Sequence, residues 1–358
     1  MKEVLLFFAI SLPLSNTFSQ DSLSLIFIGD LMGHGGQIES AYNPKTKSYD
    51  YDPVFSKIKP ILERADIAIA NLEVTLAGPP YSGYPQFSSP DALASSCKRN
   101  GIDVLVTANN HSVDRRKKGI IRTLNVLDSL QIPHTGTFRN SLERKHNNLL
   151  ILRKGDIRIG VLNYTYGTNG LKAAKPTIVN YIDTALMRKD IERSKSAELD
   201  QLIVITHWGL EYQTSPNKNQ VRVANYLLEN GADMVIGGHP HVIQKALWKK
   251  EDNQLIAYSL GNFVSNQASV NTDGGMMLEL TLVKKQDKLE ITDPGYHLIW
   301  VHKPNINGKK KYEIIPCNLY ENDKKIMNET NRARMNLFIK NARKIMSQNE
   351  NIPEIQLR

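Results

Sequence analysis

Five short apolar runs in this chain each end in side chains that can bind a metal or hydrogen-bond through an amide, and this repeat limits the fold more than any other feature. Leu25-Ile26-Phe27-Ile28 leads into Gly29-Asp30, Ile67-Ala68-Ile69-Ala70 into Asn71-Leu72-Glu73, and Val104-Leu105-Val106-Thr107-Ala108 into Asn109-Asn110-His111. Farther on, Leu202-Ile203-Val204-Ile205-Thr206 leads into His207-Trp208-Gly209-Leu210-Glu211-Tyr212, and Met234-Val235-Ile236 into Gly237-Gly238-His239-Pro240-His241. Short runs rich in β-branched residues are expected of strands buried on both faces. The polar clusters then stand at strand C-terminal ends, where open α/β sheets gather their ligand sites.

The side chains so collected are Asp30, Glu73, Asn110, His111, His207, His239 and His241. A lone histidine at a strand end is ordinarily a hydrogen-bonded loop residue, but the coincidence across five strand ends favours one metal site. Mixed oxygen and imidazole donors suit Mn, Fe, Zn or Co. An anionic Glu73 could bridge two such ions, and a two-metal centre holds a water as nucleophile while clamping the leaving group.

Helical patterns over residues 53–64, 90–99, 117–130, 184–196 and 217–229 alternate with these runs, which predicts an α/β fold. Residues 149–152 and 157–162 flank Gly155-Asp156, a hairpin signal. Strands are expected at 242–248, 254–259, 276–282 and 289–299, antiparallel in this later part. The layout predicts an α/β two-sheet sandwich flanked by helices, one long domain over 20–303. Residues 304–358 read as a C-terminal extension. There Met335, Phe338, Ile339, Ala342, Ile345 and Met346 mark one face of an amphipathic helix, read as packing on the core rather than on a membrane surface.

Residues 1–19 read as an export signal, with Lys2 at its start, an apolar stretch over 4–14 and small side chains at Thr17 and Ser19. Cleavage near Ser19 would deliver a periplasmic or extracellular chain; an uncleaved anchor is the alternative. Net charge is +9, which favours an anionic cell-surface polymer or lipid head groups as partners. Nucleic acid is not expected, because no basic stripe is interleaved with aromatics. Cys97 and Cys317 are read as unpaired thiols, since Cys97 lies on a buried helical face and a chain this size needs no staple.

Gly29-Asp30, Asn71-Leu72-Glu73, Ala108-Asn109-Asn110-His111, His207-Trp208-Gly209 with Glu211-Tyr212, Gly238-His239-Pro240-His241 and Tyr258-Ser259-Leu260-Gly261-Asn262-Phe263 stand in the order found in the CapA family. Over residues 24–285 the chain resembles that family, named for poly-γ-glutamate capsule synthesis and similar in fold to calcineurin-like metallophosphatases. The resemblance implies that Asp30 ligates a first metal, that Glu73 bridges, and that Asn110 and His207 ligate a second. His239 and His241 would divide between the two. It further implies that His111 stands just outside the metals as a proton donor, oriented by Asp114. Two positions depart from the metallophosphatase pattern. Asp30-Leu31-Met32 replaces Asp-x-His, leaving the first subsite to be completed by His34 or water, and Asn71-Leu72-Glu73 replaces a bridging Gly-Asp.

The implied function is a metal-dependent hydrolase or transferase in synthesis or trimming of a poly-γ-glutamate-type polymer, using one or two divalent ions (Mn, Fe or Zn). The alternative is a non-catalytic accessory that binds polymer or a membrane synthase complex. Glu211 and Tyr212 read as supporting or substrate-binding groups, with Glu211 as a solvated loop charge equally open. Asn262 is counted with them as a supporting or substrate-contacting group, although a turn of its own loop is the slightly preferred reading. Residues 77–90, rich in Gly, Pro, Ser and Tyr, form a loop over the metal edge in which Tyr81, Tyr84 and Phe87 either wall a pocket or tuck into the core. Residues 165–172 are a second candidate rim.

Overall fold

Odd and even residues of Ser22–Leu31 serve two different cores. Leu23, Leu25 and Phe27 meet Ile159, Val161, Ile203, Ile205, Met234 and Ile236 of a second sheet. Ile26 and Ile28 face outward onto helices, packing with Phe55, Leu93 and Leu127. From Leu25 to Ile28 the run carries no polar alternation because both faces of the pleat are covered there, whereas Ser22 and Ser24 alternate with buried leucines at its start. The structure, a computed structural model, describes residues 22–286, 288–323, 325–348 and 351–357. The expected export signal over 1–19 lies outside the described residues.

The first sheet runs in the order Glu313–Pro316, Lys288–His302, Gly274–Lys285, Ser22–Leu31, Ile67–Leu72, Val104–Val106 and His134–Thr135, with Asn262–Val264 paired to the end of Ser22–Leu31. Its half from Ser22–Leu31 to His134–Thr135 is parallel, and the later strands are antiparallel. The second sheet runs Ala246–Lys249, Gln254–Ala257, Met234–Gly238, Gln201–His207, Ile157–Thr165 and Leu150–Lys154, parallel at its centre with an antiparallel strand at each edge. Helices Thr184–Ser194 and Lys218–Glu229 cover its outer face through Met187, Ile191, Val223 and Leu227. This is the expected two-sheet sandwich flanked by helices.

Two elements differ from expectation. Residues 53–64 form two short helices, Asp52–Phe55 and Lys59–Leu62. Pro60, in the first turn of the second, has no N–H to continue a single helix. Of residues 242–248, only Ala246 onward is strand. The preceding stretch connects two strands of the second sheet and is tied by a hydrogen bond from Gln244 N–H to Ser259 O (3.0 Å).

Beyond residue 303, Glu313–Pro316 adds a strand to the first sheet. Helix Glu329–Met346 buries Met335, Phe338, Ile339, Ala342 and Met346 in the same cluster that fills the sandwich, with Ile345 packed against it. Cys97 and Cys317 are both buried and unpaired. Among the described residues, no helix is long and apolar enough to cross a membrane.

Candidate metal centre

Parallel pairing of Ser22–Leu31 with Ile67–Leu72 brings Asp30 opposite Asn71, with a register irregularity between Ile28 and Asp30. At that irregularity Asp30 N–H donates to Gly261 O at 3.0 Å. Gly29 is needed there, because a Cβ on it would sit 2.1 Å from the same carbonyl. The bend aims Asp30 across the gap between the sheets. In the second sheet, His207 ends its strand opposite Gly238, so His207, His239 and His241 arrive at the same edge.

Asp30, Glu73, Asn110, His207, His239 and His241 are all buried and share one cluster. His241 Nδ1 lies 3.2 Å from Asp30 Oδ2, and its Nε2 lies 3.8 Å from Glu73 Oε1. His207 Nε2 is 3.5 Å from Glu73 Oε1 and 3.0 Å from Asn110 Oδ1. Ligand atoms of Asp30, Glu73 and His207 lie within 4.8 Å of one another, as do those of Glu73, His239 and His241. Glu73 is common to both groupings.

Amide side chains fix the imidazoles. Asn109 Nδ2 donates to Asn71 Oδ1 (3.1 Å), which turns Asn71 Nδ2 toward Asp30 Oδ1 (2.8 Å) and His207 Nδ1 (3.2 Å). Asn262 Nδ2 donates to Gln267 Oε1 and Thr272 O, so its Oδ1 faces His241 Nδ1 at 3.0 Å and accepts from it. That arrangement leaves His241 Nε2 toward Glu73. Asn262 therefore opens a strand and supports a histidine; the turn expected there belongs to Gly261, at φ +72°. His239 and His241 hold left-handed backbone angles, φ 97° and 58°. Such strain in non-glycine residues gathers at functional sites.

Burial and mutual charge divide the titrations. Burial opposes ionisation of Asp30, yet its hydrogen bond from His241 and the charges of His207 and His241 hold it well below the usual carboxylate range. Burial, and then the Asp30 charge, push Glu73 up to about 8. Burial keeps His207 and His239 neutral, near 3 and 2. His241 rises to about 9 because Glu73 and Asp30 outweigh its burial.

Both oxygens of Glu73 and Nδ1 of His239 are buried without a hydrogen-bond partner among the described residues. Buried polar atoms are nearly always satisfied. Two carboxylates, three imidazoles and an amide oxygen around those orphaned atoms are a donor set that suits a divalent ion.

The pair expected beside the metals is also assembled. His111 and Asp114 are buried and hydrogen-bonded, and the ring of Phe87 meets His111 edge to face at 4.6 Å. Phe87 of the 77–90 loop thus walls the site from a buried position, Tyr81 packs on Tyr49, and Tyr84 stands in solvent. Glu211 and Tyr212 are exposed at the rim. His34 does not fill the first subsite: its Nδ1 is engaged with Gln37 and the Asn266 N–H, and it joins neither grouping. Met32 is buried in the apolar core. Sequence reasoning missed the role of Asn71, which stood inside a quoted motif.

The model of the bacterial capsule synthesis protein PGA_cap matches residues 24–267. The capsule biosynthesis protein CapA of Bacillus anthracis is 26% identical over 318 residues, covering 85% of this chain and 69% of the relative. The PGA biosynthesis protein CapA of Bacillus subtilis is 26% identical over 317 residues, covering 86% and 75%. Among solved structures, a candidate 5′-nucleotidase from Staphylococcus aureus, in complex with α-ketoglutarate, superposes with a TM-score of 0.51 at 13% identity. The match covers 89% of this chain and 58% of that one. The calcineurin-like phosphoesterase YfkN of Bacillus subtilis reaches 0.48 at 14% identity, covering 91% and 98%. The two-sheet fold is shared with the Staphylococcus aureus protein, and the chain belongs to the bacterial capsule synthesis (CapA) family.

Proposed function

We propose that this chain is an exported, divalent-metal-dependent hydrolase or transferase of capsule assembly, acting on a poly-γ-glutamate-type anionic surface polymer. The observation that carries this reading is the Glu73 carboxylate, buried, without a hydrogen-bond partner among the described residues and common to two ligand groupings. The names of the two Bacillus relatives support the polymer class. A net charge of +9 fits an anionic partner. Export rests on the reading of residues 1–19.

Asp30, Glu73, Asn110, His207, His239 and His241 would hold one or two ions (Mn, Fe or Zn), which when bound make a water nucleophilic near neutral pH and polarise the scissile group. The chain's own residues supply the rest. With Nδ1 of His111 facing Asp114, Nε2 is left to pass a proton to a leaving group. Asn71 and Asn262 hold His207 and His241 in place. Phe87 shields His111 from water.

A second reading, a non-catalytic accessory that binds polymer or joins a membrane synthase complex, is favoured by one observation. Met32, at the place of the Asp-x-His histidine, is in the core, and neither it nor His34, whose Nδ1 is hydrogen-bonded to Gln37 and Asn266, joins the ligand groupings found among the described residues. Elemental analysis of the purified chain beside a Glu73→Ala, His207→Ala double variant separates the two. Stoichiometric metal in the wild type, lost in the variant, is expected for the enzyme. A metal-free wild type after supplementation with manganese, iron and zinc would leave only the accessory.

A further inference from the structure

Two of the three histidines at the edge are held by amides, His207 by Asn71 and His241 by Asn262. His239 is held differently. Its backbone N–H donates to Asp30 Oδ2 at 3.1 Å, but among the described residues its Nδ1 has no hydrogen-bond partner, and its φ of 97° lies in the left-handed region. A residue in that region keeps its conformation only where its surroundings over-determine it. Here the neighbour is aromatic. The ring of Tyr166 lies 4.5 Å from the His239 imidazole at 41°, and the His207 ring lies 4.8 Å from it. Tyr166 directly follows Ile157–Thr165, and its N–H donates to His207 O at 2.9 Å, so its backbone is tied to the strand end that carries a second histidine. It is nevertheless 46% exposed.

The same segment reaches a second member of the cluster. Asn110 Nδ2 donates to Asn169 Oδ1 at 3.4 Å, while Asn110 Oδ1 faces His207 Nε2 at 3.0 Å. A carboxamide has one oxygen and one nitrogen, so an acceptor on its outer side leaves the oxygen, the atom able to ligate, turned inward. Asn169 is exposed and left-handed, φ 49°, in a turn closed by a hydrogen bond from Leu171 N–H to Thr168 O at 2.8 Å. We infer that Tyr166 and Asn169, on one solvent-facing segment, are positioning residues for the donor set Asn110, His207 and His239. The Tyr166 ring holds the His239 imidazole, and the Asn169 amide fixes which atom Asn110 presents. An aromatic face suits His239 because it restrains a ring by contact and occupies neither nitrogen, which leaves the buried Nδ1 free for an ion. This deepens, and rests on, the reading of the cluster as a metal site. Its consequence is that two surface side chains set metal affinity without contributing to the core.

The test measures zinc and manganese affinity of the full chain by competition with a chromophoric chelator, beside the Tm of the chelator-treated protein. Tyr166→Ala and Asn169→Ala should each bind metal about tenfold more weakly, whereas Tyr166→Phe, which keeps the ring, should match the wild type. Because both side chains are exposed, the Tm of every variant should stay within about 2 °C of the wild type. Unchanged affinity in Tyr166→Ala, an equal loss in Tyr166→Phe, or a loss that tracks a lowered Tm would each overturn the role of Tyr166. Unchanged affinity in Asn169→Ala would remove Asn169 from the pair. If the wild type binds neither ion, failure belongs to the metal reading, and NMR of the metal-free chain decides the positioning. An NOE between the ring protons of His207 and His239 is expected in the wild type and in Tyr166→Phe and should vanish in Tyr166→Ala; its persistence there, or its absence from the wild type, would overturn the placing of His239 by Tyr166.

Discussion

Asp114 Oδ2 accepts from His111 Nδ1 at 2.8 Å and, at the same oxygen, from the Phe87 N–H at 2.7 Å. One carboxylate thus fixes both the tautomer of the imidazole and the loop residue whose ring rests on it. Asp114→Asn can keep an accepting oxygen at that position but removes the negative charge that holds the proton on His111 Nδ1. Turnover should fall about ten- to a hundredfold, with metal content and KM little changed. Steady-state kinetics beside elemental analysis checks this; equal loss of metal would assign Asp114 to the metal shell instead.

Glu73 sets site function against stability. Among the described residues its buried carboxyl has no hydrogen-bond partner, so Glu73→Gln should stabilise the chelator-treated protein by about 1 kcal/mol. The same variant should lose the gain on adding metal, which for the wild type is about 2.7 kcal/mol at a hundredfold excess over Kd. Thermal melts with and without metal measure both. A wild type indifferent to metal would remove the premise.

Adjacent glycines should fail differently. A Cβ on Gly238 would meet Asp30 Oδ1 at 2.7 Å, whereas one on Gly237 would meet the Tyr258 backbone oxygen at 2.1 Å. A side-chain carboxylate can shift and a packed strand cannot. Gly238→Ala should fold yet bind metal at least tenfold more weakly, and Gly237→Ala should lose stability by about 1–3 kcal/mol. Circular dichroism melts and metal titration distinguish them.

Acid should loosen the edge strand Glu313–Pro316. Glu313 accepts from His302, and although burial opposes its charge, Lys57 adds to the pull, so its carboxyl falls to about 2 from 4.5. A depressed folded pKa means that the stabilisation is complete above about 4.5 and lost as pH falls toward about 2. With partial solvent screening it amounts to about 1 kcal/mol. Urea titrations between pH 5 and pH 2.5 should show a shallower acid limb for Glu313→Gln; parallel limbs would refute the assignment.

The C-terminal helix should behave as core. Phe338 is buried with the sandwich side chains, so Phe338→Ala should cost about 3–5 kcal/mol. An equilibrium unfolding curve with an unchanged midpoint would show the helix to be dispensable.

Strand positions were legible because a pleat covered on both faces must be apolar at every residue, and Leu25 to Ile28 or Leu202 to Ile205 leave no other reading. The same logic exposed Asp30, Glu73, His207, His239 and His241, polar groups that break such a run at its end. The break between Asp52–Phe55 and Lys59–Leu62 was written at Pro60 but hidden by helical periodicity on either side. The turn composition of Gly261-Asn262 hid the strand that Asn262 opens, and its pairing with Asp30 in a parallel strand depends on a segment 232 residues away.

Alone, then, the order of residues determined the strands, their polar ends, the donor types at the edge and the family they belong to, since these follow from local periodicity and side-chain chemistry. Only the tertiary structure decided which donors meet. His241 comes within 3.2 Å of Asp30 because two sheets pack face to face and point their strand ends the same way. Asn71 becomes the amide that steers His207, and the rings of Tyr166 and Tyr212 come to lie on His239 and His241. Distances between sheets are set by the thickness of a shared apolar core, a quantity that no single stretch of sequence contains.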